Sequence, residues 1–327
     1  ESVEPSWRAF FQGFEFGINK VEKGEFHIPE NILKEFKVVK LINGYRTRGH
    51  LFTKTNPVRD RRSYSPTLDI ENFGLSESDL DLIFQAGEEV GLGAASLRSI
   101  INHLNSTYCQ SIGIEYMYMR NPERLNWFKE KIDSHQRAAF NSERKLDIYS
   151  KLNKATQFES FLGKKFVGQK RFSVEGGESL IPGLYALIEK GSSLGVEYFV
   201  MGMAHRGRLN TLTNIFEKNP RDIFSEFDGK EFDFDQTFDG DVKYHQGFSS
   251  TVKLNSNKEL GITLAPNPSH LEAVDPVVQG IARAKIDHEY KDESKVCPVI
   301  IHGDAAIAGQ GIVYEIIQMD QLNGYKT

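Results

Sequence analysis

Four short polar motifs contain most of the residues in this chain that could do chemistry. Gly202-Met203-Ala204-His205-Arg206-Gly207-Arg208-Leu209-Asn210 directly follows an apolar run at 197–201. Ala265-Pro266-Asn267-Pro268-Ser269-His270-Leu271-Glu272 follows a second run at 260–264, and His302-Gly303-Asp304-Ala305-Ala306-Ile307-Ala308-Gly309-Gln310-Gly311 follows a third at 296–301. The fourth motif, Lys243-Tyr244-His245-Gln246-Gly247-Phe248-Ser249, comes after an acidic, Phe-containing stretch at 228–241. An aspartate placed straight after a strand as apolar as Val299-Ile300-Ile301 would be costly to bury unpaired. A hard cation would neutralise it, and Mg²⁺ favours a few protein oxygens together with phosphate oxygens. The glycines and alanines around Asp304 let backbone approach a bulky anion, and a following helix would offer its positive end. The alternative is a Gly-Asp turn in which Asp304 caps that helix; residue types leave both open. His205, His245 and His270 recur at similar loop positions, where imidazoles can donate hydrogen bonds or move protons near neutral pH. Arg206 and Arg208 carry planar forks suited to carboxylate or phosphate. Together they describe a pocket for a polyanionic ligand. The bland alternatives are a structural histidine, a salt bridge at a helix start, and Ser269 as a helix cap.

Common phosphate and metal signatures are excluded. Gly309-Gln310-Gly311 is followed by Tyr314 where a dinucleotide fingerprint needs Gly or Ala, Gly163-Lys164 lacks the upstream glycine of a Walker loop, and no His-Glu-x-x-His occurs.

The elements that must position these residues alternate. Buried strands are predicted at 197–201, 260–264 and 296–301, with helices at 208–216 and 271–286. That pattern predicts a largely parallel sheet with helices on its faces, and ligands of such sheets bind beyond the carboxyl ends of the strands. The acidic stretch 228–241 is read as a solvated loop insertion. Upstream the chain reads as helical. Pro29 opens a stretch in which Ile32, Leu33, Phe36, Leu41, Ile42 and Tyr45 keep helical spacing, and Leu97, Ile100, Ile101 and Leu104 do the same. Ser76 to Asp79 resembles a capping box ahead of a helix containing Leu80, Leu82, Ile83 and Phe84. Further helices are predicted from Pro122 through Trp127 and over 143–161. The fold class is therefore α/β: a helical amino-terminal domain, 1–162, followed by a mostly parallel-sheet domain, 163–327, that is incomplete at Thr327.

Composition narrows the class of protein. The chain has 327 residues, a net charge of −5, 26% charged and 39% apolar residues, which is ordinary globular usage. The mild acidity argues against a nucleic-acid partner; Arg59, Arg61 and Arg62 are interrupted by Asp60 and read as a solvated loop. Two cysteines, Cys109 and Cys297, do not make a disulfide framework and point to a reducing compartment. No apolar stretch approaches the ~20 residues that span a bilayer. There is no signal peptide, and a first residue of Glu1 points to a processed, trimmed or engineered start.

The strings "MAHRGRLN", "GDVKYHQGFSS", "NPSHLEAVDPVVQG" and "IHGDAAIAGQG", with "GYRTRGHL", "GIEYMYM" and "KRFSVEGGESLIPGL" upstream, resemble the first-component family of 2-oxoglutarate dehydrogenases over essentially the whole chain. The resemblance implies a thiamine-diphosphate enzyme with Mg²⁺ that decarboxylates 2-oxoglutarate and passes the succinyl unit to a lipoyl group of a dihydrolipoyl succinyltransferase. It makes the sheet domain a thiamine-diphosphate-binding domain. It implies Asp304 as metal ligand and Arg206, Ser269, Leu271, Ala305 and Ala306, with Asp304, against the cofactor. His245 and Ser269 would surround the oxo acid, with His205 and His270 also catalytic. It further implies a homodimer, in the bacterial cytoplasm by preference or in a mitochondrial matrix. Gly303-Asp304-Ala305 is this family's variant of the usual Gly-Asp-Gly. The second metal ligand and the glutamate that activates the cofactor would come from the remainder of the polypeptide, so this segment alone is expected to be inactive. A 2-oxoadipate enzyme and a non-catalytic assembly or regulatory relative are the rival readings.

Overall fold

The computed structural model describes residues 29–56, 58–59, 62–133, 140–227, 243–268 and 270–327. The chain forms two compact units, Glu1–Ala139 and Phe140–Thr327.

The first unit is built on α1 (Glu30–Arg48) and α2 (Leu97–Tyr108), with α3 (Pro122–Asp133) beside them. The helical spacing of α1 buries Val38, Leu41, Ile42 and Tyr45 in one core with Leu97, Ile100, Leu104 and Tyr108. Ser96 caps α2 by accepting the Ser99 N–H, the usual role of a serine at that place. A polar network lies inside this unit. Arg46 reaches Asp133 at 2.7 Å, Asp133 accepts the Tyr108 hydroxyl at 2.6 Å, and the Tyr108 and Tyr116 hydroxyls are 2.8 Å apart. Burial, together with the Asp133 carboxylate, pushes the Tyr108 hydroxyl far up, so it remains a donor. The capping box at Ser76 and Asp79 is present, but it opens a three-residue 3₁₀ turn, Glu77–Asp79, and not the helix expected through Phe84. The carbonyls of Leu80 and Leu82 accept the Arg98 and Leu97 N–H groups from the start of α2. Ile83–Phe84 then forms β1, paired antiparallel with β2 (Ala95–Ser96). Carbonyls that a helix would pair internally are thus claimed by another element.

The second unit begins with α4 (Ser142–Lys165), which the sequence reading assigns mainly to the helical part ending at Leu162. Ala155, Phe158 and Leu162 pack it into the core of this unit, with α5 (Leu180–Ser193) and the sheet. The sheet contains β3 (Tyr198–Met203), β4 (Phe248–Lys253), β5 (Glu259–Leu264) and β6 (Val296–Ile301), in the order β4-β5-β3-β6. β5, β3 and β6 run parallel, and β4 is antiparallel to β5. Alternation along β3 sends Phe199, Met201 and Met203 to the large core, shared with α4, α5 and α6 (Arg208–Asn214). Val200 faces the other way, toward α8 (Val274–Lys285), which follows α7 (Pro220–Phe227) in the helix sequence. Gly202 lets α8 approach closely, because a Cβ there would lie 2.6 Å from Val278 and 3.1 Å from Val274. Two further helices, α9 (Asp304–Gly309) and α10 (Ile312–Met319), follow β6. The expected acidic insertion at 228–241 lies outside the described residues. No helix among the described residues is long and apolar enough to cross a membrane.

Candidate functional site

The register places the polar motifs at one end of the sheet. Met203 pairs with Ile301 and Met201 with Leu264, so β3 and β6 end level and β5 ends two residues earlier at the same side of the sheet. Phe248, the first residue of β4, pairs with Leu264, the last of β5. The antiparallel direction of β4 therefore brings the motif that precedes it, with His245, to the same end as the motifs that follow the other three strands.

Two buried side chains tie these loops together. Arg208 is fully buried. Its Nη1 donates to the Met203 carbonyl at 2.9 Å, and its Nη2 donates to the Gln246 and Ala265 carbonyls at 2.7 and 2.6 Å. One guanidinium thus joins the loops after β3, before β4 and after β5, and Arg208 is a strut, not an arm for an anionic ligand. Asn267 reinforces it: Nδ2 donates to the Met203 carbonyl at 2.8 Å and its backbone N–H to the His245 carbonyl at 3.0 Å.

His205 and Arg206 sit on this frame. Gly207 takes a left-handed turn, φ +77°, and donates its N–H to the Phe172 carbonyl, a conformation glycine adopts without steric cost. The half-buried His205 ring rests against Phe172, with centroids 3.9 Å apart. Its pKa is lowered by burial first, then by the charges of Arg206, Lys170 and His245, which favours a neutral imidazole at pH 7. Arg206 is exposed, with Nη1 donating to the Ser173 carbonyl at 3.2 Å. The 171–175 segment is held by Glu159, which is 3% exposed and accepts the Val174 N–H at 3.2 Å and Asn210 Nδ2 at 3.0 Å.

Asp304 is the first residue of α9 and is exposed, as is Ala305, whereas Ala306 is buried. The expectation of an aspartate needing burial compensation is corrected on this point: the chain turns outward at Gly303, and the carboxylate faces solvent. The capping alternative does not hold either, since Gly303 occupies the cap and no side chain caps the helix. Among the described residues the Asp304 side chain makes no hydrogen bond or ion pair, and a Cβ at Gly303 would meet nothing within 4 Å. An exposed, unpartnered carboxylate with open space around it fits a divalent cation carrying a diphosphate. α9 has six residues, so its dipole adds little to holding an anion. His270 and Leu271 are exposed; Ser269 lies outside the described residues.

The sequence reading missed a buried cluster beside this site. The His302 Nε2 lies 3.0 Å from Asp275 Oδ2, and the two side chains are 7% and 0% exposed, although the contact lacks the alignment of a full hydrogen bond. Burial pushes the Asp275 carboxyl up to about 6, with Glu272 adding to the shift and His302 opposing it. Glu272 is 3% exposed, has a left-handed φ of +63°, and both its carboxylate oxygens lack a hydrogen-bond partner among the described residues. All three residues fall in strings already singled out; what was missing was that the start of α8 meets the end of β6.

No protein-family model matches the chain. It is 45% identical over 302 residues to the 2-oxoglutarate dehydrogenase E1 component of Azotobacter vinelandii, covering 91% of this chain and 32% of that protein. It is 38% identical to the mitochondrial 2-oxoglutarate dehydrogenase-like protein of Xenopus laevis, covering 100% of this chain and 36% of that protein. A multifunctional 2-oxoglutarate metabolism enzyme of Mycolicibacterium vanbaalenii is 42% identical, over 90% of this chain and 24% of that protein. By sequence the chain is a relative of the 2-oxoglutarate dehydrogenase E1 components, and it spans about a third of the length of the Azotobacter protein.

Proposed function

We propose that this chain forms one side of the active site of a thiamine-diphosphate- and Mg²⁺-dependent 2-oxoglutarate dehydrogenase. The full polypeptide would decarboxylate 2-oxoglutarate and pass the succinyl group to a lipoyl group on dihydrolipoyl succinyltransferase. It would act as a homodimer, in the cytoplasm of a bacterium or the matrix of a mitochondrion. The observation that carries this reading is the convergence of four polar motifs at one sheet end, with His205 and His245 both in loops at that end and an exposed Asp304 opening the helix after β6.

When bound, the cofactor supplies the carbon nucleophile and the electron sink for decarboxylation. The chain's own residues do the rest. Asp304 would hold Mg²⁺ and through it the diphosphate, with Arg206 offering guanidinium donors. Leu271, Ser269, Ala305 and Ala306 would lie against the cofactor. His245 and Ser269 would take the oxo acid, whose two carboxylates need charged or strongly polar donors. A neutral His205 can donate one ring N–H and accept a proton on the other nitrogen, and His270 is the further candidate for proton transfer.

The test is calorimetric titration of thiamine diphosphate into the full polypeptide carrying this chain, with and without Mg²⁺. Metal-dependent binding that disappears in Asp304→Ala is the expected result. Binding that ignores Mg²⁺ in the unaltered protein would overturn the reading.

A further inference from the structure

We propose that Asp275 and His302 form a clamp that positions the Gly303-Asp304 turn, making Asp275 a positioning residue for the metal site. This rests on the reading of Asp304 as a Mg²⁺ ligand.

Asp275 lies on a fixed element. Val274 and Val278, its neighbours on α8, pack against β3 at the point where Gly202 has no side chain. The Asp275 side chain is fully buried and meets the His302 imidazole at 3.0 Å, itself 7% exposed. His302 is the residue immediately after β6, and Gly303 and Asp304 follow it. Neither is held by its own side chain; the Gly303 carbonyl accepts the Ala306 and Ile307 N–H groups of α9. Gly303 has no side chain and open space around it, and the Asp304 carboxylate is exposed and unpartnered among the described residues. The direction in which the chain leaves β6 is therefore set one residue earlier, where His302 lies against Asp275 of α8. Metal sites commonly depend on such outer contacts, and losing one typically weakens metal affinity by about 10–100-fold.

Glu272 strengthens the argument. It is buried within the turn that enters α8, in a left-handed conformation that is unfavourable for a non-glycine residue. Both its oxygens lack a hydrogen-bond partner among the described residues, and it raises the proton affinity of Asp275. Two buried carboxylates thus lie three residues apart at the start of α8, and one of them meets the His302 imidazole. Such a grouping is retained at an energetic cost, which a role in holding the loop explains and simple packing does not.

The experiment measures Mg²⁺ affinity by calorimetry in the presence of thiamine diphosphate, using the full polypeptide. Asp275→Ala and His302→Ala are expected to weaken Mg²⁺ binding by about 10–100-fold. His302→Gln, whose side-chain amide nitrogen falls near the position of Nε2, is expected to restore it toward the unaltered value. A purely structural role would not give that rescue. The rescue also keeps the idea testable if Asp275→Ala fails to fold. Unchanged Mg²⁺ affinity in His302→Ala, while Asp304→Ala abolishes metal dependence, would overturn the clamp alone. Metal dependence surviving in Asp304→Ala would remove the metal-ligand reading and the clamp with it.

Discussion

At the residue scale, His205 shows how environment selects a role. Burial against Phe172 and the nearby Arg206 charge both disfavour the imidazolium. A histidine titration followed by NMR should place His205 below the ordinary value of 6.5, and Arg206→Ala should move it back up. Because the folded-state pKa is lowered, this residue's contribution to stability is present above the unfolded pKa. It is lost as the pH falls through the folded value. A midpoint at or above 6.5 in the unaltered protein would contradict the account. Arg208 makes the complementary point. Removing it leaves the Gln246 and Ala265 carbonyls without their side-chain donor, each worth about 1–3 kcal/mol, and leaves the Met203 carbonyl to Asn267 alone. Arg208→Ala should therefore lower unfolding stability by at least ~2 kcal/mol, and Arg208→Lys should recover only part, because one ammonium cannot reproduce the fork. Denaturant unfolding of both variants checks this, and a loss below ~1 kcal/mol would show that the loops do not depend on the strut.

At the scale of elements, the three parallel strands were legible because each is a short apolar run bounded by polar residues. The predicted 296–301 matches β6, while 197–201 and 260–264 each lie within one to two residues of β3 and β5. β4 was not legible. Phe248-Ser249-Ser250-Thr251-Val252-Lys253 is polar, half-exposed and at the sheet edge, so burial imposes little pattern on it. The helix expected after Ser76 failed because propensity and a correct capping box were overridden by hydrogen bonds to α2. Of the site, the motifs were readable one by one. Their assembly was not, since the Arg208 strut and the Asp275–His302 contact join residues 57 and 27 positions apart. The close seat of α8 on β3 yields its own test. Gly202→Val would drive a branched side chain into Val274 and Val278, and overpacking of this kind costs typically 1–3 kcal/mol. A thermal midpoint unchanged from the unaltered protein would mean that the two elements are less tightly joined than the structure shows.

At the scale of the whole molecule, the second unit presents a sheet whose carboxyl end is organised by buried polar ties, with Arg206, His270 and Asp304 left exposed beyond it. That division suits a site in which this chain provides one wall and a bound cofactor, metal and further protein provide the rest. The similarity to E1 components extends over 91% of the chain and 32% of the Azotobacter protein. The most direct measurement is carbon dioxide release from 2-oxoglutarate by the full polypeptide, with thiamine diphosphate, Mg²⁺ and an artificial electron acceptor, compared with its His245→Ala variant. The account predicts metal- and cofactor-dependent release that exceeds release from 2-oxoadipate and falls by about 10²-fold or more in the variant. Absence of release from the unaltered, cofactor-loaded protein, or full activity in His245→Ala, would contradict it.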